Sequence, residues 1–133
     1  MVSLMNDMSI NDDTIEVIVP LSPRHASTLR TMSASFGADT GFSIDEIDDF
    51  KLALTEAFSM LVCGHSGERM RASFTVSSSV ISVRLSLESG GDISIEPDEL
   101  ALAILKAVVD SYEVGKTAIS LRKVAIETLL LGT

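Results

Sequence analysis

The residues of this chain that could do chemistry are few, and the most informative pair lies within residues 49–62. Glu56 precedes Met60 by four positions, which is one turn of the helix that this stretch predicts. Taken alone, Glu56 is a solvated helix carboxylate beside the core, and Met60 is an apolar side chain that fills space. A thioether is also a soft and weak ligand for hard metal ions. The pair is therefore a carboxylate with no metal ligand one turn away.

The other chemically capable side chains indicate no site by their spacing. Cys63 is the only cysteine, so counting excludes both an internal disulfide and a four-cysteine zinc site. We expect Cys63 to be a buried, unreactive helix residue. His25 and His65 lack the spacing of metal ligands, and Ser22 is better explained as a helix cap than as a nucleophile.

The charge distribution argues against nucleic acid as a partner. The net charge is -9, and nine of the 19 acidic residues lie before position 50, where only Arg24 and Arg30 oppose them. Such a surface repels phosphate backbones, so we expect no direct nucleic-acid binding. A protein partner with a basic patch suits it better. The acidic cluster at residues 45–49 is interpreted as a solvated helix start, with partner binding as the alternative.

Length and composition predict one soluble domain. A chain of 133 residues with 46% hydrophobic residues can bury a core without disulfides or metals. The start lacks a basic region and an apolar run, and no segment reaches the length of a membrane span, so we expect a cytoplasmic protein without membrane contact. The predicted organisation is a flexible tail at residues 1–12, a domain at 13–126 and a C-terminal tail at 127–133.

Helix-start signals predict three helices. Ser22 followed by Pro23 begins the first, which extends to about residue 36. Ser43 and Glu46 form a capping box for the second, which ends at the glycines at 64 and 67. Its core-facing stripe is predicted to contain Ile44, Ile47, Phe50, Leu54, Ala57, Phe58 and Leu61. The third helix is expected to begin at Pro97, to reach about residue 112 and to be largely buried.

Alternating segments predict four strands, at residues 14–20, in a hairpin over 71–87, and at 115–122. Each has one mostly apolar face, which indicates a sheet covered on one side only. The order is strand, helix, helix, strand, strand, helix, strand. These patterns predict an α+β fold, a two-layer sandwich in which helices cover one face of a mixed, mostly antiparallel sheet.

Three strings carry a resemblance to a known family. They are Phe-Ser-Ile-Asp-Glu-Ile-Asp-Asp-Phe-Lys-Leu-Ala-Leu-Thr-Glu-Ala at 42–57, Ile-Leu-Lys-Ala-Val-Val-Asp at 104–110 and Gly-Lys-Thr-Ala-Ile-Ser-Leu at 115–121. The chain resembles, over roughly residues 14–124, the ATPase domain of the GHKL superfamily, specifically the small anti-sigma-factor serine kinases of the RsbW type. The resemblance implies the histidine-kinase-like ATPase fold. In this family the long helix carries a general-base Glu, which Glu56 matches, and a magnesium-binding Asn, which Met60 replaces.

The other nucleotide motifs of the family match only in part. Its adenine-reading Asp-x-Gly-x-Gly corresponds to residues 87–93, where Glu88 or Asp92 is the candidate for the Asp. Its phosphate-binding Gly-x-Gly-Leu turn corresponds to Glu99 and Ala101, and the segment before that turn is too short for the family's lid. Thr117, in a Gly-x-Thr string, is the other candidate nucleotide contact.

The resemblance therefore implies a regulatory protein of the anti-sigma type that has lost ATP and magnesium binding and kinase activity. Such a protein binds a sigma factor or an anti-anti-sigma protein, needs no cofactor and forms a homodimer. One alternative is an active serine kinase that uses ATP and Mg²⁺, with Glu56 as the base. Another is a non-catalytic scaffold subunit that only dimerises.

Overall fold

Five strands and three helices make up the fold, and the computed structural model describes residues 13–38, 41–96 and 98–126. The strands are β1 (Asp13–Pro20), β2 (Arg69–Val76), β3 (Val80–Leu87), β4 (Ser111–Val114) and β5 (Ala118–Val124). The helices are α1 (Ala26–Ala38), α2 (Ile44–His65) and α3 (Glu99–Val108), and a 3₁₀ turn (Pro23–His25) precedes α1. The predicted tails lie outside the described residues.

The sheet has the strand order β1-β2-β3-β5-β4, so β5 lies between β3 and β4. All four pairings in the described part of the chain are antiparallel, which leaves no parallel pair of the kind that a mixed sheet contains. The helices pack on one face, where Phe50 and Phe58 of α2 and Phe74 and Leu85 of the sheet are buried. The predicted two-layer α+β class is confirmed.

The capping box of α2 is present as predicted. The Ser43 hydroxyl accepts from the Glu46 N–H at 3.1 Å, and the Ser43 N–H donates to Glu46 Oε1 at 2.9 Å. The helix passes through Gly64, and the turn at Gly67 has a positive φ of 91°. The stripe is buried from Phe50 onward, but Ile44, in the first turn of α2, is 78% exposed.

The first helical segment begins where it was predicted, and the third helix does not. Ser22 is the cap and Pro23 the first helical residue, but the Ser22 side chain makes no capping bond and the first turn is 3₁₀. Helix α3 begins at Glu99 after the cap Asp98, and Pro97 lies outside the described residues. The helix ends at Val108, before the residues of β4.

Helix α3 is also less buried than expected. Only Ala101 and Leu105 within it are buried, and Leu100 is 71% exposed. The apolar residues cover much of its circumference, yet only one side contacts the core. No helix among residues 13–38, 41–96 and 98–126 has both the length and the apolar character needed to cross a bilayer.

Candidate functional site

A cleft of about 850 Å³ separates the C-terminal half of α2 from the chain that leads into α3. One wall is a single face of α2, and the other consists of described residues within 94–96 and 98–101. The described lining residues are Glu56, Ser59, Met60, Cys63, Gly64, Ser94, Glu96, Asp98, Glu99, Leu100 and Ala101. The predicted pair Glu56 and Met60 therefore faces a cavity.

The α2 wall follows directly from helical spacing. Positions three, four, seven and eight after Glu56 share its face, and those positions all line the cleft. Met60 is only 7% exposed and closes the floor, while Glu56 is half-buried. Cys63 is exposed on this face, so its predicted burial was wrong. Counting these steps from Glu56 would have identified the whole wall from the sequence.

The opposite wall is held against the end of α2 by His65. Its Nε2 accepts from the Ser94 N–H at 2.8 Å, which leaves the proton on Nδ1, where the ring contacts Glu68 Oε2 at 2.7 Å. A β-carbon added to Gly64 would lie 2.1 Å from the Ser94 carbonyl oxygen, so this approach of two backbones requires glycine. The Ile93 N–H donates to the carbonyl of Lys116 at 2.9 Å and fixes the segment from its other side.

The cleft is strongly acidic. Glu56, Glu96, Asp98 and Glu99 line it, and no lysine or arginine is among its described lining residues. Only Asp98 has a partner within the described chain: its Oδ1 accepts from the N–H groups of Leu100 and Ala101 at 3.0 and 3.3 Å. The other three carboxylates form neither an ion pair nor a hydrogen bond with described residues. Anionic ligands are therefore disfavoured here, and no described cluster of three His, Cys, Asp or Glu could hold a metal ion.

The remaining predicted nucleotide contacts lie outside this cleft. Asp92 is exposed, with Oδ2 3.8 Å from the Lys116 ammonium, and Thr117 is an exposed residue just before β5. Glu88 forms a bidentate pair with Arg69 at 2.7 and 2.6 Å, and these hydrogen bonds lower the pKa of Glu88. None of Glu88, Asp92 and Thr117 is among the described lining residues of the cleft.

Sequence comparisons found no matching family model and no matching curated protein. Among 13 matching chains of known structure is one that comprises the RsbU and RsbW domains of a Mycobacterium tuberculosis protein. The TM-score is 0.63 at 13% sequence identity, over 85% of this chain. The match covers 32% of the mycobacterial chain, so the present chain spans about a third of its length. At this identity the likeness concerns the fold, and the chain therefore shares its α+β architecture with a structure that contains an RsbW domain.

Proposed function

We propose that this chain is a regulatory binding protein of the anti-sigma type, which binds a sigma factor or an anti-anti-sigma protein and makes no use of ATP. The observation that carries the proposal is the acidic cleft. In an RsbW-like scaffold this cleft corresponds to the nucleotide site, and its charge is the reverse of what a nucleotide requires.

The N-terminus of α3 supports the loss of phosphate binding. A free helix N-terminus attracts phosphate because its first N–H groups have no partner within the helix. In this chain the Asp98 carboxylate already accepts from the N–H groups of Leu100 and Ala101, and Glu99 adds a second negative charge beside them. A phosphate would have to displace one carboxylate and lie beside another.

The α2 wall supports the loss of the metal. Mg²⁺ requires oxygen ligands in near-octahedral geometry, and a thioether does not substitute for an amide oxygen. Met60 is buried at the floor of the cleft and packs against the core. Its position is therefore better explained by packing than by ligand binding.

Calorimetry with magnesium ATP tests this proposal directly. We expect no binding tighter than about 100 μM, a free energy of roughly -5.5 kcal/mol. Met60→Asn alone should gain nothing, because the carboxylates at the start of α3 remain. Adding Asp98→Gly and Glu99→Gly removes those two carboxylates, and Ala101→Gly supplies the second glycine of the family's phosphate-binding turn. The combined variant should therefore bind nucleotide more tightly than the wild type. Tight binding by the unmodified chain would contradict the proposal.

The kinase alternative is favoured by one observation, which is that Glu56 is half-buried and faces the cleft, as a general base would. It requires phosphate transfer from ATP to a protein partner, with loss of transfer in Glu56→Ala and unchanged partner binding. If the wild-type chain labels neither a sigma factor nor an anti-anti-sigma protein, the binding function stands alone. Light scattering with and without a partner separates the binding protein and the kinase from a scaffold that only dimerises. The scaffold should give the mass of a homodimer whether or not a sigma factor or an anti-anti-sigma protein is present.

A further inference from the structure

A second groove, of about 440 Å³, lies on the sheet face that the helices leave open. Polar side chains of four strands line it, and they alternate along β2 with the buried residues Ala72 and Phe74. The open-face members are Ser73, Thr75, Ser82, Arg84, Ser111, Glu113, Ser120 and Arg122. This groove is separated from the acidic cleft by the sheet itself.

The strand register arranges these side chains in two rows across the sheet. Arg84 is paired with Ser73 on one side and with Ser120 on the other. Arg122 is paired with Ser82 and Ser111 in the neighbouring row. Each row therefore contains one arginine flanked by hydroxyl groups. The two arginines are diagonal neighbours on adjacent strands, a relation that places Cα atoms about 7–8 Å apart.

These groups have no partners within the described part of the chain. Neither guanidinium forms an ion pair within 4 Å there, and the five hydroxyl side chains make no hydrogen bond with described residues. Arg71, on the same face but outside the groove, differs because it contacts Glu16 Oε1 at 3.3 Å. In a chain with a net charge of -9, two arginines without carboxylate partners form a local positive patch.

We infer that this groove binds an extended acidic segment of a protein partner, with two carboxylates at positions i and i+2. The inference rests on the proposed function in that the chain must have a protein partner. Alternate side chains of an extended segment point the same way and are about 6.6–6.8 Å apart, which matches the diagonal of Arg84 and Arg122. Adjacent carboxylates would point to opposite sides, and only one of them could reach the groove.

The rest of the groove fits a peptide better than an isolated ion. Its hydroxyl groups both donate and accept, so they can pair with the N–H and C=O groups of a bound backbone. They continue across four strands, well beyond the reach of one anion. Glu113 is paired with Ser120 at the β4 end of the Arg84 row and is also a diagonal neighbour of Arg122. Its carboxylate disfavours a third carboxylate of the segment on the β4 side, so the acidic part of the segment is limited to two residues.

Two synthetic peptides of equal composition and charge test the inference, Ser-Glu-Ser-Glu-Ser and Ser-Glu-Glu-Ser-Ser with blocked ends. Binding is followed by the NMR signals of the arginine side chains. The first peptide should bind about twofold to fivefold more tightly, which is within the range that one additional exposed ion pair contributes. Arg84→Gln and Arg122→Gln should each remove this preference, and Arg71→Gln should retain it.

Equal affinity of the two peptides would overturn the inference, because it would mean unspecific attraction. Inorganic phosphate that saturates the same signals as tightly as the first peptide would also overturn it, in favour of an ion site. These peptides contain no part of a sigma factor. If the first peptide binds with the expected preference but the chain captures neither a sigma factor nor an anti-anti-sigma protein, the groove stands and the proposed function fails.

Discussion

At the scale of single residues, Glu46 connects two parts of the chain that lie 80 positions apart. One carboxylate oxygen completes the capping box with Ser43, and the other accepts from the Ile126 N–H at 2.6 Å. Burial raises the pKa of Glu46, but the hydrogen bonds from Ser43 and Ile126 and the nearby Lys123 charge lower it below its ordinary value. The charged form is therefore the one that the fold stabilises.

Glu46→Ala should destabilise the protein by about 1–2 kcal/mol, because a cap and a second buried hydrogen bond are lost together. Since the folded pKa is lowered, the contribution of the charge is present above the unfolded pKa and is lost as pH falls through the folded one. Urea unfolding between about pH 7 and about pH 3 measures this effect. The difference in the free energy of unfolding between Glu46→Ala and the wild type should become smaller as the pH falls. Asp45→Ala, an exposed neighbour in the same turn, should change stability little.

The sequence predicted one half of the Glu46 arrangement. Ser43 and Glu46 are three residues apart, so the capping box is a local pattern that needs no knowledge of the fold. The bond to Ile126 joins residues 80 positions apart and arises only from packing. The exposure of Ile44 and Cys63 was missed because it also depends on packing between distant parts of the chain. Periodicity identifies the face of a helix but not how far other elements cover that face.

At the scale of elements, the joint between α2 and the segment after β3 defines the cleft. Gly64 allows the two backbones to touch, and His65 holds the Ser94 N–H. They are the last two residues of α2, so a change there alters the cleft without removing any of its carboxylates. A single methyl group added at Gly64 is therefore enough to test this contact between α2 and Ser94.

Gly64→Ala should destabilise the fold by about 1–3 kcal/mol, since the new methyl group would overlap the Ser94 carbonyl oxygen, and the backbone cannot easily move. The better helix propensity of alanine, worth about 1 kcal/mol, offsets part of this cost. Gly91→Ala is the matched control, because its β-carbon would meet only the Ser89 hydroxyl at an ordinary 3.6 Å. Thermal unfolding of both variants measures the difference, and equal stabilities would contradict the assigned contact.

The helices and strands were predicted correctly where the periodicity of apolar residues was strong and local. The hairpin and α2 follow from alternation and from a clear helix start. Strand β4 was missed because Val108, Val109 and Tyr112 continue an apolar pattern that resembles a longer helix. The chain becomes extended there because β4 pairs with the outer edge of β5, which begins only four residues after β4 ends. This hairpin is short-range, but alternation over only four residues is too short to outweigh the apolar run that precedes it.

At the scale of the whole molecule, opposite faces carry opposite local charge. The acidic cleft lies on the helical side, and the groove with Arg84 and Arg122 lies on the open face of the sheet. Their lining residues do not overlap. The overall charge of -9 therefore hides a positive patch that neither composition nor isoelectric point reveals.

The two surfaces should act independently. Glu96→Gln removes one charge from the cleft and should leave the peptide preference of the groove unchanged, because distant sites without shared partners are additive. Increasing the salt from about 50 mM to about 300 mM should weaken peptide binding in the wild type and in Glu96→Gln alike, as the screening length shortens. The same peptide titrations provide the measurement, and a changed preference in Glu96→Gln would show that the surfaces are coupled.

The position of β5 between β3 and β4 has a consequence for synthesis on the ribosome. Strands β1, β2 and β3 can pair in the order in which they emerge, but the free edge of β3 receives its neighbour only when residues 118–124 have left the exit tunnel. Until then the nascent chain presents an unpaired and partly apolar strand edge, which is the type of surface that chaperones protect. The last strand thus makes folding a late event, and a chain released before it would remain prone to aggregation.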